Sequence, residues 1–239
     1  MKYSDTTNLN GVIQEFERLI DGGYASVSGD TTKLKEATAL ANDNSSRIWH
    51  LIFSATGNWQ YDDSNFTDLP MATTDLVSGT ARYALPSEAL TIQRVELMDS
   101  NGEWYELKPL TKEMIGMAVD EFLEEDAQPE YYTLVNNTIE LFAAPNYNST
   151  NGLKVYFDRE ISSFATSDTT KTPGFASPYH QLLPIKMAIS WYGVKQPQSA
   201  TLQVLKLDEQ RLEAELKQYY GMRFKDLKPR ISRMRESFK

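Results

Sequence analysis

Apolar residues recur at helical spacing in the first sixty residues. Within Asn10–Ile20 they occupy the i, i+3, i+4 and i+7 positions of one helical face, and Gly22-Gly23 follows. A second run keeps this spacing from the capping residue Asp30 to Gly57. The pattern predicts a short amphipathic helix and then a long one. The middle of the long helix, Asn42–Ser46, is poor in helix formers, but the unbroken apolar stripe predicts that the helix continues through it.

Short strand-like runs replace this pattern between residues 68 and 164, each bounded by Gly, Pro, Asn or Asp. At most seven strands are predicted, over Met71–Val77, Ala81–Leu85, Ile92–Met98, Trp104–Leu107, Tyr131–Val135, Thr138–Phe142 and Leu153–Phe157. Asn136-Asn137 predicts a tight hairpin between the fifth and sixth strands, because Asn tolerates positive φ. In the sixth strand Ile139 and Leu141 share a face predicted to be buried, and Glu140 and Phe142 share one predicted to be largely wet.

One helix is predicted between the fourth and fifth strands, over Lys112–Glu125, with Thr111 as its cap. Its end is densely acidic, with Asp120, Glu121, Glu124, Glu125 and Asp126. Such a cluster is more simply interpreted as a solvated helix face than as a ligand site.

Two helices are predicted to close the chain. Tyr179–Tyr192 is typical of a buried helix, in which Pro184 either makes a kink or marks the start. Gly193 to Pro197 is predicted to be a turn. From Ser199, Leu202, Leu205, Leu212, Leu216 and Tyr219 repeat at near-heptad spacing. The two helices should form a hairpin that packs on Leu34–Ala55, since one hairpin alone cannot cover its apolar side chains.

The composition excludes several classes of protein. The 239 residues contain no cysteine, so disulfides, thiolate metal sites and a cysteine nucleophile are excluded. No stretch is long and apolar enough for a membrane helix, and the first residues lack the apolar segment of a signal peptide. We therefore expect a protein that has no membrane span and remains where it is made.

The sequence offers no catalytic or cofactor motif. His50 and His180 are the only histidines, and neither lies at a spacing that places two metal ligands on one helical face. The glycine-rich loops of nucleotide-binding proteins and the nucleophile elbow of hydrolases are absent. We therefore predict no enzyme activity, no cofactor and no metal, and a structural role for His180.

Charge is unevenly distributed along the chain. The net charge is −9, of which Met222–Lys239 contributes +5, so the remainder carries −14. An acidic body argues against general nucleic-acid binding, and a basic terminal arm is typical of a segment that docks on an acidic surface. A frayed, solvated C-terminus is the alternative.

A series of short motifs occurs in a familiar order over Trp59–Trp191. In sequence they are Trp59, Asp68-Leu-Pro, Ala72-Thr-Thr, Tyr83-x-Leu-Pro86, Ile92-x-x-Val95, Pro129-x-x-Tyr132, Pro145, Val155-Tyr-Phe, Pro173-Gly-Phe and His180-x-x-Leu183. This order, set between helices, resembles the head-to-tail adaptor (connector) proteins of tailed bacteriophages. The first 58 residues carry no motif of that family.

The resemblance implies an α+β fold: a helical bundle with an inserted antiparallel β-domain and a basic C-terminal tail. The domains would be the N-terminal helices (1–60), the β-rich insertion (61–165), the C-terminal hairpin (166–221) and a docking arm (222–239).

A ring of about twelve copies is also implied, in the virion neck between a portal protein and a tail or nozzle component, made in the host cytoplasm. DNA would pass through without specific recognition. The portal-docking candidates are six of the arm's seven basic residues: Arg223, Lys225, Lys228, Arg230, Arg233 and Arg235. The five acidic residues of 120–126 are candidates for the wall of the channel.

A second function of another class is a carbohydrate-binding or glycan-cleaving β-module associated with the tail. It would require exposed aromatic side chains along one sheet face and, for catalysis, two facing carboxylates.

Overall fold

The computed structural model describes residues 1–20, 22–56, 65–66, 68–110 and 127–223. The chain divides into a helical unit, Met1–Asn65 with Ile161–Lys239, and a β-unit, Phe66–Glu160. The fold is therefore α+β, as predicted. The boundaries between the two units lie at residues 65/66 and 160/161, whereas the predicted boundaries lie at 60/61 and 165/166. The helix predicted over Lys112–Glu125 lies outside the described residues.

Four α-helices form the described part of the helical unit. They are α1 Val12–Leu19, α2 Thr31–Thr56, α3 Leu182–Lys195 and α4 Ala200–Arg223. A short 3-10 turn, Ser177–Tyr179, precedes α3. Asp30 caps α2, because its Oδ1 accepts the backbone N–H groups of Thr32 and Lys33 at 2.9 and 3.1 Å.

The polar middle of α2 is helical, and its asparagines make tertiary contacts. Asn42 Nδ2 donates to the carbonyl of Phe164 at 3.1 Å, and the Phe164 N–H donates to Asn42 Oδ1 at 2.7 Å. Asn44 Nδ2 donates to Leu40 O and to Ser190 Oγ on α3. These contacts offset the low helix propensity of the segment.

One apolar core holds the helical unit together. Helix α1 packs on α3, and α2 packs on both α3 and α4. The core includes the fully or almost fully buried side chains of Phe16, Ile48, Ile52, Met187, Leu216 and Tyr220. The prediction that the C-terminal hairpin packs on the long N-terminal helix is thus confirmed.

The ends of α3 differ from the prediction. Pro184 is the third residue of α3, where its missing N–H would have no intrahelical partner, so it lies in the first turn. The turn predicted from Gly193 is wrong, since α3 continues through Gly193 to Lys195. Pro197 explains the actual end, because a residue before proline avoids helical angles, and Gln196 has φ −146° and ψ 66°.

The β-unit contains eight strands among its described residues. They are β1 Met71–Leu76, β2 Arg82–Ala84, β3 Ala89–Met98, β4 Trp104–Glu106, β5 Lys108–Pro109, β6 Tyr131–Val135, β7 Thr138–Phe142 and β8 Ser149–Arg159. The predicted maximum of seven missed β5, whose two residues include a proline and carry no periodic pattern. All pairings are antiparallel except β5 with β6.

The strands form two four-stranded sheets, in the orders β1-β8-β3-β4 and β2-β7-β6-β5. Side chains of both sheets share one core, which contains Val95, Leu97, Ile139, Leu141 and Val155. The long strand β8 pairs with β1 on one side and β3 on the other. At Gly152 a Cβ atom would lie 2.6 Å from the Cβ of Ser149, three residues earlier in the same strand, so the local course of β8 requires glycine.

The hairpin of β6 and β7 is confirmed, but the predicted wet face of β7 is wrong. Val135 pairs with Thr138 across the two-residue turn, and Asn136 has φ 54°. Glu140 and Phe142 are buried like the residues of the other face. Arg82 on β2 explains the burial of the carboxylate, because its Nε lies 2.7 Å from Glu140 Oε1.

Candidate interaction surfaces

The site residues predicted from charge lie almost entirely outside the described residues. This holds for the acidic candidates Asp120, Glu121, Glu124, Glu125 and Asp126, and for the basic candidates Lys225, Lys228, Arg230, Arg233 and Arg235. Arg223 is the last residue of α4 and of the described chain. The first two residues of the predicted docking arm, Met222 and Arg223, are therefore the last two residues of α4.

His180 is a buried residue of the helical unit, and both of its ring nitrogens are engaged. The amino group of Met1 donates to Nδ1 at 2.9 Å, so Nε2 carries the proton and donates to the Phe175 carbonyl at 2.8 Å. The Phe175 ring packs edge-on against the imidazole. Burial lowers the pKa of His180 below its ordinary 6.5, although the bond to Phe175 opposes this shift. The neutral ring acts as a structural link.

The described residues contain no group of three or more His, Cys, Asp or Glu side chains arranged to hold a metal ion. No helix within them is long and apolar enough to cross a membrane.

A buried ion cluster joins the two helices of the C-terminal hairpin. The side chain of Lys186 on α3 is 7% exposed, and its Nζ lies 2.6 Å from Glu209 and 2.5 Å from Glu213, both on α4. The two glutamates are four residues apart and face the lysine from adjacent turns. Each keeps about a quarter of its side chain exposed. The cluster therefore links α3 directly to α4.

A pocket of about 420 Å³ opens between α1, α2 and α3. Its walls are mainly apolar, formed by Phe16, Ile20, Val27, Ala37, Leu40 and Trp191. Lys33, Glu36 and Lys195 are the charged residues that line it. We call it the three-helix pocket.

A buried carboxylate binds the backbone of the loop between α1 and α2, which lies beside the three-helix pocket. Glu17 is 3% exposed, and its Oε1 accepts the backbone N–H groups of Val27 and Ser28 at 2.9 and 2.6 Å. In the pocket wall, Ser26 Oγ is buried and has no hydrogen-bond partner among the described residues. These two hydrogen bonds hold the loop in a fixed position beside the pocket.

The side of α4 that faces away from the core is unusually apolar. Seven exposed residues at spacings of three and four lie on this side, and we call them the outer face of α4. They are Ala200, Val204, Leu207, Arg211, Ala214, Gln218 and Met222. The side chains of Val204, Leu207 and Met222 are 59%, 68% and 47% exposed. Arg211 is the one charged member, and it pairs with Asp208 at 3.3 Å.

The near-heptad pattern gave only the inner side of this helix. It placed Tyr219 in the buried stripe, but Tyr219 is 44% exposed and Tyr220 is buried, its hydroxyl accepting the Ala176 N–H. The spacing of Val204 and Leu207 was the available signal for the outer face, since both lie out of phase with the buried leucines.

The described strands of the β-unit expose no row of aromatic side chains. Tyr83, Tyr132, Phe142 and Phe157 are buried, and Trp104, Tyr105, Tyr131 and Tyr156 are half-buried. The Trp104 ring is also covered by Lys154, whose Nζ lies 3.5 Å from its centroid. A second pocket, of about 340 Å³, lies beside β1 and β2 and is lined by small and aliphatic side chains with Tyr83.

Comparison with families of known proteins gives one informative result. The family model described as "SU10 adaptor protein" matches residues 7–231, nearly the whole chain. A search of curated proteins finds no match. The match includes residues 7–58, where no family motif was identified, and most of the basic arm.

Proposed function

The chain belongs to the SU10 adaptor protein family, and we propose that within this family it is a structural, non-catalytic ring subunit of a phage virion neck. The family match over residues 7–231 is the observation that carries this proposal. The subunit binds copies of itself, a portal protein on one side and a tail or nozzle component on the other. It is made in the host cytoplasm and is then incorporated into the virion.

The mechanism of such a subunit is geometric. Each copy in a ring makes the same contact with the next, so a modest interface is repeated until the assembly closes. Twelve is the copy number that the resemblance implies. DNA passes through the opening, and a wall of acidic side chains repels its phosphates, so that the DNA does not adhere during ejection.

The basic arm is the proposed portal-binding segment. Its candidates are Arg223, Lys225, Lys228, Arg230, Arg233 and Arg235, which follow a body of net charge −14. An exposed basic segment binds an acidic surface with a strong dependence on salt, because counterions screen exposed charges beyond about 8 Å at physiological salt.

Removal of the arm tests this docking role. A chain that ends at Arg223 keeps α4 and loses residues 224–239. We expect its melting temperature to match that of the full chain and its co-sedimentation with purified portal to be lost. A full-length variant distinguishes the effect of the arm's charge from the effect of its length. In this variant five residues are changed to Gln: Lys225, Lys228, Arg230, Arg233 and Arg235. Unchanged co-sedimentation of both variants would mean that the arm is only a solvated terminus.

No described feature favours the alternative of a glycan-binding or glycan-cleaving β-module. Such a module stacks sugar rings on exposed aromatic side chains, whereas the aromatic side chains of the described strands are buried or half-buried.

A further inference from the structure

The outer face of α4 is an unpartnered apolar surface on a helix whose other side is already buried. A surface helix normally opposes its apolar stripe with charged residues. Here the seven outward positions include one charge, Arg211, beside Val204, Leu207, Ala214 and Met222. Depletion of charge at the centre of a surface patch is typical of protein interfaces.

The three-helix pocket provides a surface of the opposite shape on the same unit. It is a concave apolar site of about 420 Å³, whereas the outer face of α4 is a convex ridge. Contacts between copies in a ring are head-to-tail, and a head-to-tail contact joins two different patches of one chain. A ridge and a pocket on one unit meet that requirement.

One pair of opposite charges lies beside these two surfaces. The pocket is lined by Lys33 and Lys195 as well as by Glu36, and Glu36 has no ion pair with another described residue. Arg211 lies one turn beyond Leu207, and its pairing with Asp208 is exposed and therefore weak. With Leu207 in the pocket, Arg211 would lie within reach of Glu36.

We infer that the outer face of α4 packs on a second copy of this chain, with Leu207 and Val204 seated in the three-helix pocket and Arg211 paired with Glu36 of that copy. This contact rests on the proposed ring and identifies the surfaces that build it.

The dimensions of the contact fit a ring better than an isolated pair. A helix of 24 residues is about 36 Å long, and a face about 10 Å wide covers about 360 Å². Stable protein pairs bury about 800 Å² on each partner. One such contact is weak alone, whereas each copy in a closed ring makes two.

Charge exchange tests the pairing. We expect Arg211→Glu or Glu36→Arg alone to raise the concentration at which rings form by about tenfold, and the double variant to restore it. Leu207→Glu should have at least that effect and leave the melting temperature of the monomer unchanged. Leu69→Glu is the matched control, because Leu69 is 72% exposed and lies in the β-unit.

Site-specific cross-linking gives an independent measurement, because the chain contains no cysteine. Leu207→Cys and Leu40→Cys full-length chains are prepared separately, and assembly is followed by sedimentation. We expect a short bis-maleimide to give dimers only when the two variants are mixed, since Leu40 lines the pocket. The variant with both cysteines should give a ladder of oligomers.

The outcomes separate this contact from the ring proposal. Rings that form normally with Leu207→Glu, or that give no Leu207–Leu40 cross-link, would overturn the contact and leave the ring intact. Cross-linking of Leu207→Cys with itself would indicate a symmetric pair and would also overturn it. A wild-type chain that stays monomeric with and without portal would overturn the ring and the contact together.

Discussion

Asn42 connects two segments that are far apart in the sequence. Its side-chain amide pairs with both the N–H and the C=O of Phe164, in the way that a neighbouring backbone would. We expect Asn42→Ala to lower the free energy of unfolding by about 2 kcal/mol, because both backbone groups of a buried residue lose their partner. Chemical denaturation measures the change.

Asp43→Ala is the matched control for this substitution. Asp43 is the next residue of α2, and its exposed ion pair with Arg47 contributes about 0.3–0.5 kcal/mol. Equal losses for the two variants would show that the Asn42 bridge does not stabilise the unit.

His180 makes stability depend on pH. Its pKa is lowered in the folded chain, so below the ordinary pKa of 6.5 the unfolded chain binds a proton that the folded chain does not. The contribution is complete above pH 6.5 and is lost as the pH falls towards the folded pKa, by at most about 1.4 kcal/mol per pH unit.

The exposed His50 supplies the control for this pH dependence. We expect thermal melts between pH 7.5 and 5 to show a smaller slope for His180→Gln, and the wild-type slope for His50→Gln. Retention of the full slope in His180→Gln would assign the pH dependence to other groups.

At the scale of elements, the C-terminal hairpin depends on Lys186 between Glu209 and Glu213. We expect Lys186→Met to destabilise the protein by about 3 kcal/mol at pH 7, because two facing carboxylates lose their shared cation.

A triple variant distinguishes charge from packing at this site. Changing Glu209 and Glu213 to Gln together with Lys186→Met removes the unbalanced charges, so most of the lost stability should return. Urea denaturation at pH 7 measures this. An equally unstable triple variant would show that the unbalanced charge of the two carboxylates is not the cause of the loss.

The sequence predicted these elements where a periodic pattern was strong. The continuity of α2, the hairpin at Asn136-Asn137 and the packing of the C-terminal helices all follow from local spacing or turn chemistry. The burial of Glu140 was missed because it depends on Arg82, a residue of another strand. The outer face of α4 was missed because the heptad pattern describes only the side of a helix that its own chain covers.

At the scale of the whole molecule, the division into a helical unit and a β-unit could be anticipated because the apolar period changes twice along the chain. The sequence could not show which charged residues face a partner. That property depends on other copies and other proteins, and the strongest charge clusters, at 120–126 and 223–235, lie at or beyond the limits of the described residues.

The acidic cluster nevertheless supports a prediction about the assembled particle. We expect Glu124→Lys with Glu125→Lys to leave the melting temperature unchanged but to slow DNA ejection or impair ring assembly, because reversed charges act over long range. Ejection assays on particles with the variant measure the effect. Wild-type infectivity would place this cluster outside the channel.

The mass of its assemblies tests most directly whether this family member is a ring subunit. The full chain, of 27.2 kDa, is mixed with purified portal over a range of concentrations, and the masses are measured by sedimentation. We predict a closed species of about twelve chains that co-migrates with the portal. A single species at the monomer mass at every concentration, without co-migration, would contradict the account.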